Sequence, residues 1–262
     1  MHRYLAGKVV TRFESVLPAL TRVAEDSPIV GRTIQSIAAR GKNLIFEFSG
    51  DLILRTHMRM NGSWHIYPAK APWRRPLRQM RVLVGTSDAV AVGFNIPVAE
   101  FVNARELSRH KPLQSLGPDP LGASFDHNEA LRRIRTRAAE PIGDVLLDQR
   151  VVAGIGNVFR SEILFAAGIN PFIRTTQLSD AQLREILNIA VAQLRANVMS
   201  PAQTLSTAIG RRTTRSLDPR EKLWVYGRGG RPCRRCGTPI EAHAGGRDAR
   251  LTFWCPKCQQ ER

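Results

Sequence analysis

The residues whose spacing most directly implies chemistry are four cysteines near the C-terminal end: Cys233-Arg-Arg-Cys236, eighteen intervening residues, then Cys255-Pro-Lys-Cys258. Two CxxC pairs so separated can bring four thiolates to one tetrahedral zinc ion. A module of about 30 residues has too little core to fold without such a staple. In a reducing compartment this clustering points to a metal rather than to disulfides, with a redox pair or free thiols as the alternatives. Between the knuckles, Ile240 and Thr252-Phe253-Trp254 are expected to form a β-hairpin with Gly245 to Arg250 at or near its tip. Arg250 would then be either a groove-inserting arginine or a plain solvated charge.

A second candidate lies in LLDQRVVAGIGNVFRSEILFAAGINP, residues 146 to 171. Apolar-periodic segments Ile142 to Gln149 and Val158 to Ala167 flank Ala153-Gly154-Ile155-Gly156-Asn157, which is too glycine-rich for a helix interior. A helix, a two-glycine turn and a second helix are expected. Such a turn allows close backbone approach, and the second helix offers unpaired N–H groups at the positive end of its dipole, a place for phosphate. The alternative is an ordinary helical hairpin in which Asn157 only caps.

Two further candidates stand upstream. Gly41-Lys42 precedes an alternating apolar strand, so Lys42 sits at a strand start, as a ligand contact or a solvated lysine. In His57-Met58-Arg59-Met60-Asn61-Gly62 the residues Arg59, Met60 and Asn61 fall at a turn tip, where Met60 either wedges between bases or folds back onto the core.

The elements that must position these residues divide the chain in three. Residues 8 to 102 read as strands (KVVTRFESV, TIQSIAAR, KNLIFEFS, LILRTH, SWHIYP, MRVLVGT and AVAVGFNI), broken by turn signals at Ser49-Gly50-Asp51 and Asn61-Gly62. They imply an antiparallel sandwich or flattened barrel, domain 1–108. Residues 103 to 125 are rich in Pro, Gly and Ser and read as a linker. Asp126 to Glu129 resembles a capping box opening Ala130 to Arg137, and Ser179 to Gln182 opens a helix reaching about Val198. Linker and helices form domain 109–220, and the cysteine module is 221–262. The whole is an α+β multidomain chain.

Composition limits the partners. Lys+Arg 39 against Asp+Glu 22 gives a net charge of +17 with pI ≈ 11.1, which calls for a polyanion, nucleic acid first. No apolar run reaches the roughly 18 residues of a spanning helix, and MHRYLAGKVV lacks a signal h-region. A cytoplasmic, nucleoid-associated protein is expected.

LLDQRVVAGIGNVFRSEILF followed by a finger ending RLTFWCPKCQ resembles the helix-two-turns-helix and zinc finger of the formamidopyrimidine-DNA glycosylase/endonuclease VIII family. The likeness runs upstream through LGPDPL and ARGKNLIFEFSGDLILRTHMRMNGSW, so it covers nearly the whole chain. It implies a bifunctional base-excision-repair enzyme that flips a damaged base from double-stranded DNA, cleaves its glycosidic bond and cuts the abasic site by β/δ elimination, acting as a monomer. By resemblance, Asn157 holds backbone phosphate beside the lesion, and Lys42 binds phosphate and assists elimination. Arg250 grips the flipped nucleotide's phosphates, and Arg59-Met60-Asn61 fills the gap in the base stack. Zn2+ on Cys233, Cys236, Cys255 and Cys258 is structural.

One departure from the pattern concerns the nucleophile. Family enzymes carry an N-terminal Pro-Glu whose secondary amine attacks the sugar C1′, followed by a helix. Met1-His2-Arg3-Tyr4 matches the end of that helix, so a Pro-Glu segment is expected ahead of it. Ser115 stands where endonuclease VIII-like sequences can carry a DNA-binding arginine. Leu217 to Leu223 leaves little room for the long capping loop of oxidised-purine readers, which favours oxidised pyrimidines and abasic sites. The alternative is a damaged-DNA or abasic-site binding protein without catalysis.

Overall fold

The structure, a computed structural model, describes residues 1–59, 61–198, 211–216, 218–245 and 250–260. It consists of two compact units, Met1–Gln114 and Ser115–Arg262.

The first unit holds a one-turn helix α1 (His2–Leu5), β1 (Arg12–Ser15), α2 (Pro18–Asp26) and seven further strands. These are β2 (Ile34–Arg40), β3 (Asn43–Phe48), β4 (Leu52–His57), β5 (Ser63–Pro68), β6 (Met80–Gly85), β7 (Ala89–Phe94) and β8 (Val98–Val102), followed by short helices α3 (Ala104–Ser108) and α4 (Lys111–Gln114). They make two antiparallel four-stranded sheets, ordered β1-β6-β7-β5 and β2-β3-β4-β8. Each expected strand exists, though KVVTRFESV contributes only Arg12 to Ser15. β6 and β7 are buried along almost their whole length, as continuous Val/Ala/Leu runs require. Phe46 of β3 packs on Trp64 of β5 at 5.0 Å, and the Trp64 indole N–H donates to Thr56 Oγ1 at 3.0 Å, which ties one sheet to the other.

Four elements of this unit differ from the reading of the sequence. α3 and α4 fall where a linker was expected, α3 being opened by a reciprocal capping box between Asn103 and Glu106. α2 begins at Pro18, whose fixed φ suits the first helical turn and whose missing N–H costs nothing there. β8 pairs with β4 across a long stretch of chain, and its half-buried VAEFV has no sharp alternation to announce it.

The second unit contains α5 (His127–Arg135), α6 (Ile142–Val145), α7 (Asn157–Ala167), α8 (Asp180–Ala196) and the hairpin β9 (Glu241–Gly245) with β10 (Arg250–Trp254). Asp126 caps α5 by accepting the Glu129 N–H, while the Glu129 carboxylate turns to Arg132 and Arg133 instead of closing a box. Ser179 and Gln182 do form a reciprocal capping box on α8. Ala130, Ile134, Ile142, Val145, Ile163, Leu183, Ile186 and Leu187 share one buried core. A second cluster joins Phe165 of α7 to Val225, Cys233, Ile240, Phe253 and Cys255, so the cysteine module is packed on a helix of this unit.

The helix expected over Ile142 to Gln149 is shorter, ending at Val145. Gln149 supplies the reason: its side-chain amide donates to the Ile155 carbonyl at 2.8 Å and accepts the Gly154 N–H at 3.0 Å, so it holds a turn rather than extending a helix.

Candidate nucleic-acid interface

In the second unit, Gly154 takes φ +84°, a left-handed conformation that a side chain would strain. The LGPDPL segment braces the same turn from outside. Gly117 N–H donates to the Gln149 carbonyl at 2.9 Å and Ala153 N–H to the Pro118 carbonyl at 3.0 Å. A Cβ on Gly117 would come within 2.3 Å of the Val151 carbonyl oxygen, so only glycine fits. This segment, read as linker, is part of the turn's scaffold.

Gly156 caps α7, and Asn157 is its first residue. The Asn157 amide donates to the Leu251 carbonyl on β10 at 2.9 Å, while its Oδ1 is buried with no partner among the described residues. An amide carries two N–H bonds, so one remains to donate elsewhere. One turn on, Arg160 is 1 % exposed and its Nη2 also donates to Leu251 O, at 3.1 Å. Burial, partly offset by Asp144 and reinforced by nearby Arg250, lowers the Arg160 guanidinium to about 10. Arg250 itself begins β10 opposite Gly245 and, with Arg160, Arg150, Asp144 and Asp148, lines a cleft of about 180 Å³. Residues 246–249, expected at the hairpin tip, lie outside the described residues.

Arg160 was not singled out by the sequence reading, and neither was Glu162. The Glu162 carboxylate is fully buried and accepts the backbone N–H groups of Trp224 (2.8 Å), Val225 (2.9 Å) and Tyr226 (2.8 Å), with the Thr213 hydroxyl as a further donor. It therefore fastens the chain entering the cysteine module onto α7. A signal was present: two opposite charges inside the otherwise apolar VFRSEILFAA are buried charges in need of partners.

The four cysteine sulfurs lie within 4.8 Å of one another, with Cys236–Cys255 at 3.4 Å and Cys233–Cys258 at 4.0 Å. A tetrahedral site with metal–sulfur bonds of about 2.3 Å has sulfurs about 3.8 Å apart, so this cluster fits a single ion. The Arg235 guanidinium stacks on Phe165 at 4.5 Å, and Gln259, buried, bridges the Ile169 carbonyl and the Cys255 N–H. These contacts anchor both knuckles to α7 and the turn after it.

In the first unit, Lys42 is half-buried in the two-residue turn between β2 and β3, just before the strand start expected for it. Arg59 and Asn61 are exposed after β4; Met60 lies outside the described residues. Arg59 adopts φ +45°, and its N–H donates to His57 Nδ1 at 3.2 Å. Met58 N–H reaches the Lys42 carbonyl at 3.4 Å, so the Lys42 turn and the Arg59 tip are adjacent. Burial, then the charges of Arg55, Lys42 and Arg59, lower the His57 pKa, which favours the neutral imidazole that can accept this bond.

The formamidopyrimidine-DNA glycosylase N-terminal domain matches residues 1–109, and the formamidopyrimidine-DNA glycosylase H2TH domain matches residues 116–208. The chain belongs to the formamidopyrimidine-DNA glycosylase family. It is 37% identical over 264 residues to the Streptomyces coelicolor protein named "Probable endonuclease 8 2", covering 99% of this chain and 89% of that one. It is 33% identical to a DNA-(apurinic or apyrimidinic site) lyase of Mycolicibacterium smegmatis, covering 97% and 92%. The Lactococcus lactis enzyme, solved in complex with DNA containing an abasic site, superposes with a TM-score of 0.79 at 26% identity, covering 99% of this chain and 95% of that one.

Among the described residues no helix is long and apolar enough to cross a membrane.

Proposed function

We infer that the protein is a base-excision-repair DNA glycosylase and abasic-site lyase, and that its substrates are oxidised bases, pyrimidines in particular, in double-stranded DNA. The observation that carries this reading is the junction at Leu251. There the first residue after a two-glycine turn and a buried arginine together hold the strand that begins with Arg250. Such a junction sets an amide, a helix N-terminus and a guanidinium within one unit, the donor set that a phosphodiester needs. On this reading Asn157 and Arg250 bind the phosphates flanking the lesion. Lys42 binds backbone phosphate and assists elimination, and Arg59, Met60 and Asn61 enter the gap left by the extruded base.

The four cysteines would hold one structural Zn2+, which supplies no chemistry beyond fixing the hairpin. Protein and DNA would associate as one copy per lesion. The glycosidic step needs an unprotonated amine near C1′ and an acid to handle the proton. The 262 residues contain no Pro-Glu pair.

The deciding experiment presents duplexes carrying oxidised pyrimidines, oxidised purines or an abasic site to the 262-residue chain and to a form extended by Met-Pro-Glu and a helix. Tight abasic-site binding by both, with borohydride trapping and strand cleavage by the extended form, supports the reading. Binding without cleavage by either form would assign a damage-binding protein instead, and equal affinity for undamaged duplex would defeat both.

A further inference from the structure

We propose that Arg55 and Asn43 are positioning residues for Lys42, fixing the turn that carries it through a chain of hydrogen bonds spanning four strands; this rests on the reading of Lys42 as a phosphate contact. The turn Arg40-Gly41-Lys42-Asn43 closes between register partners Arg40 and Asn43, with Gly41 at φ +58°. The Asn43 amide donates to the Arg40 carbonyl across the turn at 3.1 Å. Its orientation is set from below, because Asn43 Oδ1 accepts Arg55 Nη1 at 2.8 Å. Arg55 in turn donates through Nε to Glu100 Oε1 at 2.7 Å, Glu100 being its register partner on β8. Asn43 and Arg55 are each 7 % exposed.

A guanidinium suits this place because its planar fork makes both bonds at once in fixed directions; a lysine ammonium cannot match that geometry. Packing alone does not call for a charge here: Arg55 is buried while the Glu100 side chain is 40 % exposed, and burying a guanidinium carries a desolvation cost that an apolar residue of similar volume would not. What the arrangement adds is a defined path for Lys42. Without the tie through Asn43, the hairpin end loses the side-chain bond across its turn that is anchored in the sheet below, and Lys42 samples more orientations than a phosphate contact can use.

Because Arg55 and Asn43 are buried, neither can contact phosphate directly, and this makes the proposal separable from a direct role. Binding of the full chain to a duplex containing a tetrahydrofuran abasic-site analogue is measured at several salt concentrations for the native protein, Lys42→Ala, Asn43→Ala and the double variant. Lys42→Ala should lower the slope of log K against log salt by about one. Asn43→Ala changes no charge, yet it should weaken binding about three- to tenfold and lower the slope in the same direction, the size expected when one hydrogen bond is lost. The double variant should bind no more weakly than Lys42→Ala.

If Lys42→Ala keeps the native slope, the phosphate reading of Lys42 fails and takes the proposal with it. If Lys42→Ala loses a contact while Asn43→Ala keeps the native slope, or if the two losses multiply, the positioning role alone is overturned. Should Asn43→Ala unfold, Arg55→Lys repeats the test with charge conserved and the simultaneous hydrogen bonds to Asn43 and Glu100 broken.

Discussion

Asn157 and Arg160 share one acceptor: the amide of the first and the guanidinium of the second both donate to the Leu251 carbonyl. A strand carbonyl with two lone pairs is thereby saturated by a single helix. The strand that starts with Arg250 consequently takes its position from α7.

Asn157→Ala and Arg250→Ala should each weaken binding to an abasic-site analogue. The arginine change should also lower the salt slope, by about one, because it removes a charge that displaces counterions; in Asn157→Ala the second donor, Arg160, still holds the Leu251 carbonyl and the strand bearing Arg250, so the slope should stay near native. Isotherms at several salt concentrations test this, and native affinity in both variants would take these residues off the DNA face.

Glu162→Ala should destabilise the second unit by about 3 kcal/mol or more, because it leaves three backbone N–H groups without their charged acceptor. Glu162→Gln should be nearly as harmful, since rotating its amide can present only one oxygen where two now accept. Denaturant unfolding measures the loss, and limited proteolysis should locate new cleavage between Thr213 and Tyr226. An unchanged midpoint would deny the carboxylate this clamping role.

Cys255→Ser should release the bound ion and melt the β9–β10 hairpin while the α5–α8 core keeps its helical signal. One metal equivalent per chain in the native protein, and none in the variant, is the expected result by plasma mass spectrometry. Full metal retention after the substitution would reject a four-cysteine site.

The His57 pKa is depressed below its ordinary 6.5, so the unfolded chain binds the proton more readily than the folded one. Its contribution to stability is therefore fully present above about pH 6.5 and is lost as pH falls through the lower folded value. His65, also lowered by burial and by Arg75 and Arg74, contributes in the same sense. His57→Asn, which can still accept the Arg59 N–H, should flatten part of the acid decline between pH 7 and 5. Identical pH profiles of melting temperature would remove His57 from that decline.

What could be read from the residues was whatever is local. The CxxC pairs and the Ser179–Gln182 box each depend on neighbours within a few positions, and each appears in the structure as expected. NLIFEF forms its strand, but Ile45 and Phe46 are both buried, so the alternation expected of it is broken at its centre. The rest depends on partners far along the chain. Nothing beside Arg55 announces that Glu100 will lie opposite it, and nothing beside Glu162 announces Trp224 to Tyr226. Gln149 ended α6 early through bonds to Gly154 and Ile155 that apolar periodicity cannot register. Among the site residues, Asn157 and Arg250 were picked out from a turn and a finger treated separately, and their connection through Leu251 was not foreseen.

The position of Glu162 bears on how such proteins can be recombined. Residues 221–262 look like a portable cassette, with their own hairpin and four thiols. Transplanted alone between relatives, however, they would arrive with the N–H groups of residues 224–226 and the Leu251 carbonyl still requiring Glu162, Arg160 and Asn157 on the recipient's helix. The smallest exchangeable part is α7 together with the finger, so variation in the one is inherited as a constraint on the other.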